Sequence, residues 1–320
     1  MEEAFAQATG CQTQAAGCQT AEVTASPAIA LPTGDEALAL MASRHSVRCF
    51  TDEPLSADEV RALQEAVEVC NRASGLSIRL VTNEPDAFRC LTAHYGKFRG
   101  VSNYLIMAGA PGADAPTSSR QAAPAATPVA PAATTSSDAS IPSADLEERV
   151  GYWGQRLVLL AQSMGLRTCW VALTFAKRKV KETLPDGVEM PCVIALGHGV
   201  SDGKAHKSKA AEKVSNLTSD SPAWFARGVQ AALLAPTAIN QQSFFLELLS
   251  DETDDGTSPR GAKATGETAK AQDCETGDRL ASAKPRVRAT DKGGPYSGID
   301  IGIIKHDFQL AAGADNFTWE

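Results

Sequence analysis

Apolar residues recur every three or four positions in several stretches of this chain, which is the spacing of an amphipathic helix. The clearest stretch runs from about Asp145 to Met164, and Gly165 follows it as a natural helix stop. Another helix is predicted after the capping box Ser56-Ala57-Asp58-Glu59, whose hydroxyl and carboxylate can satisfy free backbone amides. Further helices are predicted near residues 34 and 85 and over residues 177–184, 221–236 and 299–312.

Short apolar runs between these helices predict β-strands. The runs cover residues 76–80, 104–108, 168–173, 192–197 and 244–248. Some predicted strands are close together in sequence and others are separated by helices, which favours a layered α+β fold over a doubly wound one. The sequence contains neither G-x-G-x-x-G nor G-x-x-x-x-G-K-[ST], so the usual dinucleotide and P-loop phosphate motifs are absent.

The order of the predicted elements is weakly repeated. An apolar helix leads into Asn71 and a strand at 76–82, and a later apolar helix leads into Asn240 and a strand at 243–249. Any helix–turn–strand unit would produce the same pattern. From the pattern alone, an internal duplication and a coincidence are therefore both open.

Three segments lack the large apolar residues that a packed core requires, namely 1–33, 111–143 and 251–292. Such segments bury too little apolar surface to offset their conformational entropy, so disorder is predicted for them. We therefore expect a disordered tail at 1–33 and one folded domain over 34–320, interrupted by low-complexity insertions at 111–143 and 251–292.

The composition excludes several classes of partner. The formal charge of −8 and the sequence pI near 5.3 disfavour nucleic acid and anionic membranes, both of which select basic surfaces. No run approaches the roughly eighteen apolar residues of a membrane helix, and Met1-Glu2-Glu3-Ala4 lacks the features of a signal peptide. The eight cysteines are scattered without a C-x-x-C pair, so no metal site is expected and a reducing cytoplasm is favoured.

Two arginines four residues apart, Arg44 and Arg48, flank Ser46 in an R-x-S-x-R motif. On a helical or turn-like backbone both guanidiniums can lie on one side, where their paired donors suit a phosphate. A solvated basic patch before Asp52 and Glu53 has the same pattern. Both interpretations are open from the spacing.

Three carboxamides, Asn240, Gln241 and Gln242, follow a helix that Pro236 closes. Each carboxamide offers a donor and an acceptor, which is the combination needed to bind the imide edge of a ring. A polar turn after a proline-terminated helix is an equally good interpretation. The basic residues at 204–209 are interpreted as a solvated loop, and Trp170 as a core residue.

Together and in this order, these motifs resemble the nitroreductase family of FMN-dependent oxidoreductases, in the branch whose single chain contains both lobes. The stretches that carry the resemblance are R-H-S-V-R-C-F at 44–50, A-P-T-A-I-N-Q-Q at 235–242, V-G-Y-W-G-Q at 150–155, G-L-R-T-C-W-V at 165–171 and G-I-D-I-G-I-I-K-H at 298–306. The resemblance implies a nitroreductase-like mixed sheet flanked by helices, with two similar lobes and FMN at their junction.

The resemblance also implies which residues bind the cofactor. The phosphate and ribose of FMN are expected at Arg44, His45, Ser46 and Arg48, and the flavin ring at Pro236, Thr237, Asn240 and Gln241. The equivalent stretch of the first lobe, Val69 to Ser74, lacks the proline and the glutamines. One intact flavin site is therefore expected.

Two functions follow from the resemblance. The first is an FMN-dependent oxidoreductase that passes electrons from NAD(P)H through the flavin to a small-molecule acceptor, such as a nitroaromatic or a quinone, in a cytoplasmic monomer or homodimer. No catalytic side chain is invoked, because the cofactor carries the chemistry. The alternative is a non-catalytic scaffold, with or without flavin, whose insertions contact partners.

Overall fold

The computed structural model describes residues 30–111, 145–249 and 284–320. Helices within these ranges are α1 (Gly34–Ser43), α2 (Ala57–Ser74), α3 (Leu91–Tyr95), α4 (Leu146–Ser163), α5 (Lys177–Lys181), α6 (Ala223–Leu234) and α7 (Ser297–Ala312). Strands are β1 (Arg79–Val81), β2 (Asn103–Gly109), β3 (Arg167–Val171), β4 (Glu189–Gly197), β5 (Phe244–Leu249), β6 (Arg286–Asp291) and β7 (Thr318–Trp319). None of these helices combines the length and apolar character that a membrane span requires.

Local sequence signals fix the ends of the long helices. At the start of α2, the Ser56 hydroxyl accepts from the Glu59 amide at 3.2 Å, and the Glu59 carboxylate accepts from the Ser56 amide at 2.7 Å, so the predicted capping box forms. Gly75 ends α2 in the left-handed conformation, with φ 67°. Asp145 caps α4 by accepting from the Glu148 amide at 2.8 Å.

The strands form two sheets, which define two lobes. The first lobe holds an antiparallel sheet in the order β1-β2-β4-β3, and the second holds β5-β6-β7, in which β6 and β7 are parallel. Apart from short helices, each lobe begins with the same order of helix, strand, strand, helix, strand: α2-β1-β2-α4-β3 in the first and α6-β5-β6-α7-β7 in the second. The fold is therefore α+β with two similar lobes, as the sequence predicted.

The two lobes are joined through the crossing of α4 and α7. A Cβ placed on Gly302 of α7 would lie 2.0 Å from the carbonyl oxygen of Glu148, and one placed on Gly151 of α4 would lie 2.0 Å from the carbonyl oxygen of Ile299. Glycine at both positions lets the two backbones touch. The apolar core is continuous through this crossing, since Val150, Leu157, Ile303 and Ile304 belong to the same buried cluster.

One predicted boundary is wrong. Strand β6 lies inside 251–292, which the sequence analysis assigned to a low-complexity insertion, yet it is the central strand of the second sheet. Its sequence, R-V-R-A-T-D, offers little apolar signal, because only Val287 is fully buried. Its backbone pairs with β5 on one side and β7 on the other. Residues 251–283 of that insertion, most of the tail and most of the insertion at 111–143 lie outside the described residues.

Candidate functional site

A cavity of about 700 Å³ brings together the two motifs that the sequence analysis singled out. The first lobe contributes Arg44, His45, Ser46 and Arg48 to its lining. The turn after α6 contributes Pro236, Thr237 and Asn240. Gln241 is not among the lining residues. The volume falls within the range of roughly 300–1,000 Å³ that is typical of small-molecule sites.

Arg44 is the most informative residue of this cavity. It follows α1 directly, its side chain is only 4% exposed, and its Nε atom is buried without a hydrogen-bond partner. Burial lowers the pKa of Arg44, and the charge of Asp307 partly opposes this effect. A buried guanidinium with an unused donor in a cavity wall has the chemistry of an anion-binding group.

A buried polar group that interacts electrostatically with Arg44 links α4 to α7. The Asp307 carboxylate accepts from Gln155 Nε2 of α4 at 3.0 Å and lies 3.2 Å from His306 Nδ1. Asp307 is fully buried, and burial raises its pKa although His306, Gln155 and Arg44 favour the ionised form. The charges of Asp307 and Arg44 interact, although the two side chains do not form a direct ion pair.

The other residues of the R-x-S-x-R motif are more accessible. His45 Nδ1 lies 3.1 Å from the Asp202 carbonyl oxygen and donates to it, because a carbonyl oxygen can only accept. The exposed Arg48 lies over the Phe98 ring, with 5.9 Å between the guanidinium carbon and the ring centre. Ser46 forms a β-bridge with Thr168, which places its hydroxyl beside Cys169, and burial raises the pKa of that thiol.

The turn at 237–242 has an unusual backbone. Ile239, Asn240 and Gln242 all adopt positive φ, at 45°, 58° and 44°. Asparagine tolerates this left-handed region, but a β-branched isoleucine does so at a cost of about 1–2 kcal/mol. Ile239 is nevertheless 88% exposed, so burial does not compensate for the strain. Uncompensated strain of this kind is concentrated at functional sites.

The carboxamides of this turn are used mainly within the protein. Asn240 Nδ2 donates to the Lys207 carbonyl oxygen at 2.9 Å, and Asn240 Oδ1 accepts from Gln242 Nε2 at 2.7 Å. Gln241 Nε2 donates to the Asp300 carboxylate at 2.7 Å and to the Pro295 carbonyl oxygen at 3.0 Å. The amides thus build the turn, and only part of the capacity of Asn240 is left for a ligand.

Asp300 holds the turn from the side of α7. Its carboxylate accepts from the Ala238 amide, at 2.9 and 3.1 Å for the two oxygens, in addition to the bond from Gln241. Burial raises the pKa of Asp300 to about 6, while the hydrogen bonds from Gln241 and Ala238 oppose that rise. Asp300 was not predicted as a site residue, although it lies in the stretch at 298–306 that carries the resemblance, because its place in the sequence does not show that it contacts the turn after α6.

A loop over residues 198–210, here called the connecting loop, joins the two halves of the site. At one end, Gly203 packs so closely on His45 that a Cβ there would lie 2.8 Å from the His45 Cβ. At the other end, the Lys209 amide donates to Gln242 Oε1 at 2.7 Å, and Lys209 Nζ donates to the carbonyl oxygens of Gln241 and Gln242. The sequence predicted a solvated loop for this basic segment. It is exposed but forms part of the site.

The remaining wall is apolar and the charge of the cavity is positive. The apolar lining consists of Trp170, Tyr296, Ile299 and Ile303. Trp170, which the sequence predicted as a core residue, therefore also contacts the site. Among the residues that the structure describes, the lining cations are Arg44, Arg48, Lys97 and Lys204, and the only lining carboxylate is that of Asp300. Within the described ranges none of these four cations forms an ion pair.

The equivalent turn of the first lobe has a structural role. Asn71 Nδ2 donates to the Ile78 carbonyl oxygen at 2.9 Å, and Asn71 Oδ1 accepts from the Ile78 amide at 2.7 Å. This pair of bonds holds the end of α2 against the strand region that follows. The described residues also contain no cluster of three histidine, cysteine or acidic side chains that could hold a metal ion.

The comparisons with known proteins agree with this fold. A family model described as "Putative TM nitroreductase" matches residues 36–118 and 138–312. These two segments make up most of the chain, and the protein therefore belongs to this nitroreductase family. Among proteins with curated descriptions, no sequence matches the chain.

Solved structures of nitroreductases are similar to the chain at low identity. A "putative nitroreductase" from Thermotoga maritima is 14% identical, with 86% of this chain and 82% of that chain covered and a TM-score of 0.44. An FMN-dependent nitroreductase from Clostridium difficile is 12% identical, with 52% and 90% covered and a TM-score of 0.36. A "putative nitroreductase" from Desulfovibrio desulfuricans, in complex with FMN, is 18% identical, with 58% and 98% covered and a TM-score of 0.37.

Proposed function

We propose that this protein is an FMN-dependent oxidoreductase that takes electrons from NAD(P)H and delivers them to a small organic acceptor, such as a nitroaromatic or a quinone. One observation carries the proposal: Arg44 is buried in the cavity wall with an unused Nε donor and without an ion pair. A buried unpaired charge is costly, and an anionic ligand removes that cost. Membership of the nitroreductase family supports a flavin phosphate as that anion.

The polar end of the cavity suits a ribityl phosphate. Arg44 and Arg48 supply two guanidiniums with paired donors, and the Ser46 hydroxyl lies between them in sequence. His45 keeps Nε2 available, because Nδ1 is bonded to the Asp202 carbonyl oxygen. In a chain of net charge −8, this local cluster of cations is needed to attract a dianion.

The other end of the cavity suits a flat ring. Trp170, Tyr296, Ile299 and Ile303 offer an apolar wall, and Pro236, Thr237 and Asn240 offer the rim. Gln241 would act indirectly, since its side chain holds Asp300 and Pro295. The residues present therefore fit FMN, with the turn backbone and Asn240 at the ring edge.

Bound FMN would supply the redox chemistry, by accepting a hydride from NAD(P)H and returning the electrons to the acceptor. The residues of the chain would bind and orient it. The buried Arg44 would fix the phosphate, the apolar wall would exclude water, and the carboxylate of Asp300 would keep the turn in its strained conformation through the Ala238 amide.

A non-catalytic scaffold is the second candidate. It is favoured by the internal hydrogen bonds of Asn240 and Gln241, which leave less amide capacity for a ring than the sequence suggested. The oxidoreductase and the flavin-free form of the scaffold differ in flavin affinity, because a scaffold without flavin has no use for the unpaired Arg44. A flavin-binding scaffold would instead differ from the oxidoreductase by lacking NAD(P)H-driven turnover.

The test is FMN binding to the purified chain and to an Arg44→Met variant. We expect a yellow protein that releases FMN on denaturation, and at least about a tenfold loss of affinity in the variant, because charge-assisted bonds are worth about 1.5–3 kcal/mol each. Riboflavin affinity should change little, since riboflavin has no phosphate.

Arg61→Met is the matched control. Arg61 is exposed on α2 and paired with Asp58, so its loss should leave FMN affinity unchanged. A folded wild-type chain that neither carries FMN nor takes it up would refute the oxidoreductase and support the flavin-free scaffold.

A further inference from the structure

The mouth of the cavity is unusually apolar for a solvent-exposed surface. The large hydrophobic side chains of Tyr95, Leu173 and Ile239 are 83%, 67% and 88% exposed, and all three line the cavity. They come from three separate elements: the end of α3, the loop after β3 and the turn after α6. Exposed apolar groups that converge on one opening mark a binding surface, whereas scattered ones need no explanation.

Close packing fixes two of these elements against each other. A Cβ on Gly96 would lie 2.6 Å from Thr174 Oγ1, so the segment after Tyr95 rests directly on the loop that carries Leu173. Thr92 Oγ1 also donates to the Phe175 carbonyl oxygen at 3.4 Å. The third residue, Ile239, is held outward by its positive φ of 45°. The mouth is therefore a built surface, and its apolar character costs strain to maintain.

Two lysines line the same cavity. Lys97 is exposed next to Gly96, and Lys204 is exposed in the connecting loop next to Gly203. Within the described ranges neither forms an ion pair, and the only carboxylate of the lining, Asp300, already accepts hydrogen bonds from Ala238 and Gln241. If Arg44 and Arg48 serve the cofactor phosphate, these lysines are left for a second ligand.

We propose that the mouth binds an aromatic anion, a flat apolar molecule that carries a carboxylate or sulfonate, and that Lys97 and Lys204 select it over its neutral counterpart. The apolar body would lie against Tyr95, Leu173 and Ile239. The inference rests on the proposed function, in which this ligand is the electron acceptor. It narrows that function from organic acceptors in general to negatively charged ones.

The test compares 2-naphthalenesulfonate with 2-naphthalenesulfonamide, which share the ring system and differ in charge. Binding of each to the full chain is measured by calorimetry at low and high NaCl, without turnover. We expect tighter binding of the sulfonate, by about two- to fivefold per lysine, and a preference that fades with salt. Lys97→Gln and Lys204→Gln should each narrow the preference, whereas Lys213→Gln, exposed but away from the cavity, should not.

The apolar part is tested with Leu173→Asn and Ile239→Asn. Each should weaken both probes alike, by about fivefold, because the shared ring loses buried contact. Leu91→Asn is the control, since Leu91 is 80% exposed on the same helix as Tyr95 but does not line the cavity.

Equal affinity of the wild type for both probes at low salt would overturn the inference, as would an unchanged preference in both lysine variants. Failure to bind either probe would overturn it as well. The FMN content of every preparation is measured separately. Absence of flavin would count against the proposed function, whereas the two-probe comparison tests the mouth in either case.

Discussion

The side chains of Asp300 and Gln241 are joined by a hydrogen bond of 2.7 Å, in which the amide donates to the carboxylate. This bond links the first turns of α7 to the turn after α6. Because Asp300 also accepts from the Ala238 amide, one carboxylate holds both ends of a strained segment. The ionisation of Asp300 therefore affects both the stability of the fold and the shape of the cavity.

Stability should depend on pH through Asp300. Burial raises its pKa from 3.8 to about 6, so the folded state binds a proton more tightly than the unfolded state does. The contribution of Asp300 to the free energy of unfolding is thus most favourable below about pH 4 and is lost as pH rises through about 6, by about 3 kcal/mol at about 1.36 kcal/mol per pKa unit. Denaturant unfolding of the wild type and Asp300→Asn from pH 4 to 8 measures this difference.

The variant should be less stable than the wild type near pH 4, because it loses an acceptor for Gln241, at about 1 kcal/mol. Near pH 8 the difference in the free energy of unfolding between the two proteins should become smaller or change sign, because the variant does not bury a charged carboxylate. Parallel pH profiles for the two proteins would show that Asp300 ionises in the fold as it does in the unfolded chain.

Ile239→Asn should stabilise the protein. Asparagine tolerates positive φ better than a β-branched residue, and Ile239 has little burial to lose. We expect a gain of about 1 kcal/mol in the free energy of unfolding, measured by denaturant titration. A loss of stability would mean that Ile239 makes contacts that favour the native turn, and the strain would then have no functional meaning.

Arg48 should matter less than Arg44 for FMN affinity. Arg44 is buried, whereas Arg48 is exposed and its charge is screened by solvent. We expect Arg48→Ala to weaken FMN by about two- to fivefold, compared with at least about tenfold for Arg44→Met. Fluorescence titration of each variant with FMN and with riboflavin measures these changes in affinity. If a variant loses as much affinity for riboflavin as for FMN, the arginine has a structural role.

Asn240 can be separated into its backbone and side-chain roles. Asn240→Gly keeps the left-handed conformation but removes the bonds to Lys207 and Gln242, whereas Asn240→Leu also introduces strain of about 1–2 kcal/mol. Both variants should weaken FMN and increase amide hydrogen exchange over 204–209, and the leucine variant should in addition be less stable. Unchanged exchange in the connecting loop would show that the Asn240 side chain does not hold it.

Gly302→Ala should disrupt the helix crossing. Alanine normally stabilises a helix relative to glycine by about 1 kcal/mol, but here its Cβ would lie 2.0 Å from the Glu148 carbonyl oxygen. The helices must separate, which costs about 1–3 kcal/mol or more. Thermal unfolding should therefore show a loss of stability, opposite in sign to the helix propensity, and a gain would show that the crossing has room to spare.

The pattern of apolar residues predicted most of the fold. The buried faces of α2 and α6 follow helical spacing, whereas α4 and α7 are buried on nearly every side, and the apolar strands lie between clear turn signals. The pattern failed at β6, where pairing on both sides replaces apolar side chains as the source of stability. Both motifs of the candidate site were found. Asp300 and the connecting loop were not, because their roles arise from contacts between residues far apart in the chain.

The side-chain amides of the turn show a different limit of prediction from sequence. From the sequence, Asn240 and Gln241 offered donors and acceptors that a ligand and the protein could use equally well. The structure assigns most of that capacity to Lys207, Gln242 and Asp300. Composition shows which hydrogen bonds a turn can form, but only the folded backbone decides which of them it forms internally.

The crossing of α4 and α7 joins two lobes that are encoded separately. In a symmetric pair of identical chains, every substitution appears twice, so both copies of a turn must keep whatever one copy needs. Here Asn71 ties α2 to the neighbouring strand region while Asn240 helps to shape a cavity, and neither residue constrains the other. The junction also forms within one molecule, so its integrity does not depend on protein concentration.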